Sequence, residues 1–400
     1  MNVLFLTLSN MENVDQRGIY TDLVRELSHR GINVYVVAPR EKRTDLPTEF
    51  STNNNINVLK VRTGNITKTN FIEKGISTLV IEKQYLKAVK KYFKDIHFDM
   101  VMYSTPPITF EKVVQYFKEK HKSKTYLVLK DIFPQNAVDI NVIKEGSLLW
   151  KHFRNKEKRL YEMSDIIGCM SKGNMDYVLK HNPFIQKRKV EIFPNSISPI
   201  ERFERENKNK ELFSKFNIPN ESTLFVYGGN LGKPQGIEFL LEVADNFHKI
   251  SNGHLLIVGS GTEYVKIKKH IEQKKTKSVS LFNKLPKDEY DQLLEIADVG
   301  LIFLDRRFTI PNFPSRLTAY MEYSLPVLAA TDKNTDLKDV LKESESGLWS
   351  ESFNVNTFIG NANKLSKDER LRCQMGLNGR KYLEDNFDIK KTVDIIIKHL

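Results

Sequence analysis

At 400 residues, 40% hydrophobic and 28% charged, the chain has the make-up of a soluble globular protein of two or three domains, which excludes disordered, collagen-like and disulfide-stapled classes. Its net charge of +12 is uneven, with 32 lysines and arginines against 21 acidic residues in 1–200 and 30 against 29 in 201–400. A basic half fits either an anionic partner such as a bilayer or a plain solvated face. No nucleic-acid-binding motif accompanies the charge, so nucleic acid is not expected as a partner.

The first residues, MNVLFLTLSN, lack the basic flank and the length of a signal peptide. No run approaches the roughly 18–20 apolar residues of a membrane span. The two cysteines, Cys169 and Cys373, form no spaced motif, as fits a reducing compartment. The expected location is the cytoplasm, soluble or peripheral.

VLFLTL (3–8) reads as a strand buried on both faces. A helix over about 17–30 follows, with Ile19, Leu23, Val24 and Leu27 on one face and Gly31 stopping it. NVYVVAP (33–39) is the second strand, and the β-α-β start implies a parallel sheet. Residues 40–68 read as polar and irregular. A basic amphipathic helix over about 70–94 is either a membrane-lying element or a surface helix with a core stripe. Strands at 98–104, 124–130, 164–171 and 189–195 complete the first half, and His97 precedes its strand, as a structural residue would. Charged residues 199–215 read as a linker. Beyond it the alternation restarts: STLFVYGG, HLLIVGSG, SVSLFN, DVGLIFL and LPVLAA are strands, and helices separate them. The expected architecture is α/β, two doubly wound domains, 1–200 and 201–384. A tail helix, 385–400, is expected to pack back on the first domain.

Two segments carry chemistry. In YGGNLGKPQGIE (227–238) a buried strand ends in glycines and a helix follows. Such a turn lets the backbone approach a phosphate, and the helix start and Lys233 supply positive charge. In FTIPNFPSRLTAYMEYSLPV (308–327) two prolines precede a helix whose expected N-cap is Ser315, with Arg316 and Leu317 in its first turn. Arg316 suits bidentate binding of a phosphate. The dinucleotide fingerprint and the P-loop are both absent. Asp131, at the carboxyl end of a buried strand, is a candidate general base or acceptor-orienting group; the bland alternative is a turn residue.

Together these segments resemble family 4 glycosyltransferases of GT-B architecture, in the branch that builds capsule and O-antigen repeat units. LKDIFPQNAVDI (129–140), NKEKRLYEMSDIIGCMSKG (155–173) and VEIFPNSIS (190–198) are similar to that branch in order. The resemblance implies two Rossmann-like domains facing a central cleft, with an acceptor on the first and a UDP-sugar on the second. It implies a donor site of Gly229, Asn230, Gly232, Lys233, Gly259, Gly261, Lys284, Leu285, Pro314, Ser315, Arg316 and Leu317. It also implies a phosphate loop at Arg17 and Gly18, a retaining transfer, and a lipid-linked glycan acceptor, undecaprenyl diphosphate-borne, at the inner membrane face. N-acetylfucosamine is the narrower expectation for the sugar.

One departure stands out. The family carries two glutamates, eight positions apart, ahead of the Pro-Val strand; here Pro311 and Ala319 occupy those places. Glu322, one turn on, is the expected replacement for holding the donor ribose. No Asp-x-Asp pair and no metal-spaced cluster occur. No cofactor and no metal are therefore expected, and Lys233 and Arg316 would neutralise the leaving diphosphate. Two other readings stay open: a UDP-sugar 2-epimerase of the same architecture, and a non-catalytic nucleotide-sugar-binding subunit.

Overall fold

The continuous apolar runs become the inner strands of two sheets, one in each half of the chain. The computed structural model describes residues 1–66, 71–201 and 210–400, so 202–209 of the expected linker lie outside the described residues. The chain divides into two units, Met1–Ser198 with Phe387–Leu400, and Pro199–Asn386.

The first unit holds β1 (Asn2–Leu6), β2 (Asn33–Glu41), β3 (Glu49–Asn53), β4 (Ile56–Thr63), β5 (Met100–Ser104), β6 (Lys124–Leu129), β7 (Ile166–Cys169) and β8 (Val190–Ile192). Their order is β3-β4-β2-β1-β5-β6-β7-β8. The register is parallel, as in β1–β2 and β1–β5, except for the antiparallel β3–β4 pair. Chain order reverses at β1, which is where a ligand crevice forms in such sheets.

The stretch read as irregular, 40–68, contains β3 and β4. Asn54 takes a left-handed backbone (φ 50°) and turns the hairpin, a conformation asparagine tolerates better than most residues. Val58, Leu59 and Val61 are buried. Lysine and arginine at alternate positions thinned the apolar signal of this strand.

The helix Phe71–Tyr92 is present. Of its described apolar residues, Ile81, Tyr85, Ala88 and Val89 are buried while Val80 is 38% exposed, so the second half of the helix carries a core stripe, as the surface-helix alternative expects. The tail is two helices, Glu369–Asn386 and Ile389–Ile397, where one was expected. Between them Asp388 bridges to Ile197 and its side chain caps Lys390 N–H. Ile389, Val393 and Ile396 share the core of Leu23 and Leu27 in the helix Ile19–His29.

The second unit holds β9 (Thr223–Asn230), β10 (Gly253–Ser260), β11 (Val279–Phe282), β12 (Val299–Phe303), β13 (Val327–Thr331) and β14 (Gly347–Glu351). The order β11-β10-β9-β12-β13-β14 is parallel throughout. Its switch point lies between β9 and β12. No helix among the described residues is long and apolar enough to cross a membrane.

Candidate functional site

In the second unit the site grows from the carboxyl end of β9. Tyr227 and Gly228 are buried, while Gly229 and Asn230 emerge. Gly229 has φ 129°, a backbone that side chains rarely adopt. Tyr227 O–H donates to Asn230 O at 2.8 Å and closes the turn on its own strand. Gln235 Oε1 accepts from Asn230 Nδ2 and Gly232 N–H. Gly236 is left-handed (φ 57°) and opens the helix Ile237–Asn246. Flanking strands hold the loop from both sides: Leu231 N–H donates to Ser260 O, and Asp305 N–H to Pro234 O. Lys233 is exposed.

Arg316 meets this loop. Its guanidinium lies 4.4 Å over the Tyr227 ring. A Cβ placed on Gly229 would stand 3.1 Å from Arg316 Nη2. The Nη1 atom is buried and has no hydrogen-bond partner among the described residues. Two further tyrosines complete the surroundings. Tyr320 O–H lies within bonding reach of Val226 O and Leu301 O, and accepts from Gly228 N–H at 3.3 Å. Tyr290 reaches the same turn, its hydroxyl 1.9 Å from where a Gly228 Cβ would be. Burial pushes the Tyr290 hydroxyl well above the ordinary range. Gly228 is thus small because Tyr290 fills its side, and a cation is held against the glycine turn by neutral rings.

Several expected donor residues have other work. Ser315 has helical backbone angles and makes no cap bond, and its helix, Arg316–Glu322, is only 7 residues long. The positive charge here is the guanidinium itself, which corrects the expected helix-start site. Leu317 is fully buried in the core, and Pro314 O accepts from Leu317 N–H. Gly259 and Gly261 are packing residues: a Cβ on them would come within 2.0 Å of Gly229 O and 2.2 Å of Leu231 O. Lys284 and Leu285 leave the edge strand β11, and it is Tyr290, farther along, that reaches the turn. Gly259→Ala is expected to push the β9 loop out of place, lowering stability by about 1–3 kcal/mol and weakening nucleotide binding. A melting temperature equal to the wild type's contradicts this role.

Glu322 is corrected too. It is 3% exposed, and its Oε1 accepts from Ile200 N–H at 2.9 Å. Arg380 donates to Glu322 O at 2.9 Å and to Ile200 O at 2.5 Å. The carboxylate anchors the chain at its entry to the second unit. Glu322→Ala is therefore expected to destabilise the fold by roughly 1–3 kcal/mol, the cost of an orphaned buried donor, with nucleotide affinity unchanged in a titration. A tenfold loss of that affinity at unchanged stability reinstates a ribose role.

The sequence reading missed Asp305, beside the loop at the end of β12. Burial raises its carboxyl pKa, but Arg307 wins and holds it below the usual range. Arg307 Nε and Nη2 each lie 2.8 Å from it.

The first unit has its own cluster at the end of β6. Thr105 Oγ1 accepts from the amides of Lys130 and Asp131. Asp131 Oδ1 accepts from Asn136 Nδ2 at 2.6 Å. Burial lifts the Asp131 carboxyl to about 6, into the range of a working base. Lys130, also missed, donates to Phe193 O and Pro194 O, and burial lowers its ammonium to about 7. The partners of Lys130, Phe193 and Pro194, lie more than sixty positions away and are not visible in a linear scan.

The expected phosphate loop at Arg17 and Gly18 is corrected. Arg17 Nη2 donates to Ser198 O at 2.9 Å. Asp22 Oδ1 accepts from Gly18 N–H at 3.1 Å, and Oδ2 accepts from Ser198 N–H at 2.8 Å. The helix start is already occupied by a carboxylate of its own first turn.

Two Rossmann-like α/β units, one around each sheet, give the chain the GT-B fold. Solved structures agree: sucrose-phosphate synthase from Thermosynechococcus elongatus superposes with a TM-score of 0.77 at 17% identity, over 100% of this chain and 99% of that one. Anabaena Alr3699/HepE, solved in complex with UDP, superposes with a TM-score of 0.66 at 12% identity, over 100% of both chains. Residues 208–382 match the family described as Glycosyl transferases group 1. Among curated relatives, probable glycosyltransferase WbjE of Pseudomonas aeruginosa is 23% identical over 282 residues, 70% of this chain and 68% of that protein. Putative colanic acid biosynthesis glycosyl transferase WcaI of Escherichia coli K12 is 24% identical over 177 residues, 43% of this chain and 42% of WcaI. The group 1 match spans less than half of the chain, and the curated relatives that the chain resembles are named as glycosyltransferases.

Proposed function

We propose that this protein transfers a sugar from a UDP-linked donor to a lipid-carried glycan, borne on undecaprenyl diphosphate, during capsular or O-antigen polysaccharide synthesis. The observation that carries the reading is Arg316: a half-buried side chain whose Nη1 is buried and without a partner among the described residues, its guanidinium held by Tyr227 against the Gly228–Gly229 turn. A leaving diphosphate gains negative charge as the glycosidic bond breaks. A fixed guanidinium, with the exposed Lys233 ammonium, is aimed at that charge. Asp131 is the group on the first unit suited to orient or deprotonate an acceptor hydroxyl. Support for UDP comes from HepE, solved with UDP. Support for polysaccharide synthesis comes from WcaI, whose name assigns it to colanic acid.

The test is a panel of nucleotide sugars, UDP-N-acetylfucosamine among them, assayed with and without a lipid-linked acceptor. UDP release that requires the acceptor is the expected result. Tight nucleotide binding without turnover under all donor and acceptor pairs supports a non-catalytic subunit instead, a reading that the missing family glutamates and the anchored Glu322 favour.

A further inference from the structure

The most exposed large apolar side chain among the described residues is Leu148, at 86%, and Leu149 (48%) and Val142 (45%) lie beside it in the chain. Leucines at the start of an amphipathic helix normally turn inward; these do not. The segment is also firmly built. Ile143 is buried beneath it, Val142 and Ile143 N–H both donate to Ala137 O, and Ser147 caps the helix Leu148–Met163 through Trp150 N–H. The leucines are presented by a fixed scaffold.

Charge says what covers them. Between 144 and 159 six lysines and arginines stand against two glutamates; Arg154, Lys156, Lys158 and Arg159 pair with Glu157, Glu111, Glu162 and Glu111, which leaves Lys144 and Lys151 outside these ion pairs. The ammonium groups of Lys144 and Lys151, on either side of the leucines, are exposed. An apolar tip flanked by two exposed lysines fits an anionic bilayer, where the leucines enter the acyl boundary and the lysines meet headgroups. A second copy of this chain would bring the same positive charge and be repelled.

Topology gives the tip a purpose. β6 and β7 are parallel neighbours, so the helix between them starts at the carboxyl edge of the sheet and runs back. Leu148 therefore stands at the same edge of the first unit as Asp131, which follows β6. We infer that the Val142–Lys151 segment docks this unit on an anionic lipid surface, with the acceptor-side carboxylate turned toward the membrane. The inference rests on the proposed lipid-linked acceptor and deepens it.

The test is co-sedimentation of the full chain with phosphatidylcholine vesicles, with or without phosphatidylglycerol, in the absence of substrates. The wild type is expected to bind the anionic vesicles, less so as salt rises, with a blue shift of Trp150 fluorescence in a Trp349→Phe background. Leu148→Glu with Leu149→Glu is expected to lower binding at least tenfold while leaving the melting temperature and UDP affinity unchanged. Leu377→Glu, at a 60% exposed leucine of the other unit, is expected to bind as the wild type does. Unchanged vesicle binding in the double variant, no binding by the wild type, or self-association through this segment each overturns the inference. A protein that binds vesicles but transfers no sugar fails the functional reading alone, and one that transfers sugar without binding fails only this inference.

Discussion

Arg316→Ala is expected to lower sugar transfer roughly a hundred- to a thousandfold, the range seen when one preorganised group facing transition-state charge is removed. The argument starts from the cost of the native arrangement. A guanidinium with a buried, unpartnered Nη1 is unfavourable without compensation. Here stacking on Tyr227 offsets part of that cost, and the remaining donor is left for a ligand. Arg316→Lys is expected to recover little, because a single ammonium neither stacks as a plane nor donates bidentately. The variants should remain folded, since the guanidinium faces the turn and carries no ion pair among those described. The decisive measurement is kcat with the best donor, alongside the affinity for UDP. A kcat within twofold of wild type for Arg316→Ala would remove the basis of the donor site.

Much of that donor loop is legible in the sequence. Gly228, Gly229, Gly232 and Gly236 follow a strand of consecutive apolar residues and precede an amphipathic helix, and such glycine density has few uses other than a tight turn or a close approach. Proximity across the fold was not legible. Tyr290 and Tyr320 lie far from Gly228 in sequence, and tyrosines at helical spacing read as core. For Arg316 both a helix start and a bidentate guanidinium were expected, and the structure offers the side chain without the helix start. Gly259 and Gly261 were assigned to the ligand because a glycine signals closeness without saying to what. They approach the backbone of Gly229 and Leu231.

The errors on Glu322 and on Arg17 with Gly18 share one cause. Both assigned a ligand to a group whose partner is internal and distant in sequence. Glu322 bonds Ile200, 122 positions away, and Asp22 bonds Ser198, 176 away. Helical periodicity places a side chain on a face. It does not report what already occupies that face.

Asp131→Asn is expected to move activity and stability in opposite directions. Burial raises the Asp131 carboxyl from 3.8 to about 6, so the folded state binds this proton more tightly than the unfolded chain does. That favourable contribution is complete below about pH 4 and is lost as pH rises through about 6. At pH 7.5 the carboxylate is ionised and buried, and it costs the fold roughly 1–3 kcal/mol. Asparagine has the same shape, keeps an oxygen for Asn136 Nδ2, and carries no charge. The variant should therefore melt a few degrees higher at pH 7.5, with the difference vanishing near pH 4. Transfer should fall about a hundredfold or more, because the amide cannot take a proton from the acceptor. In the wild type, kcat/KM should decline as pH drops through about 6, and the residual activity of Asp131→Asn should lack that limb. Melting curves at the two pH values and a pH–rate profile test both halves. A variant that is more stable yet fully active makes Asp131 a turn residue after all; one that loses activity and stability together makes it structural.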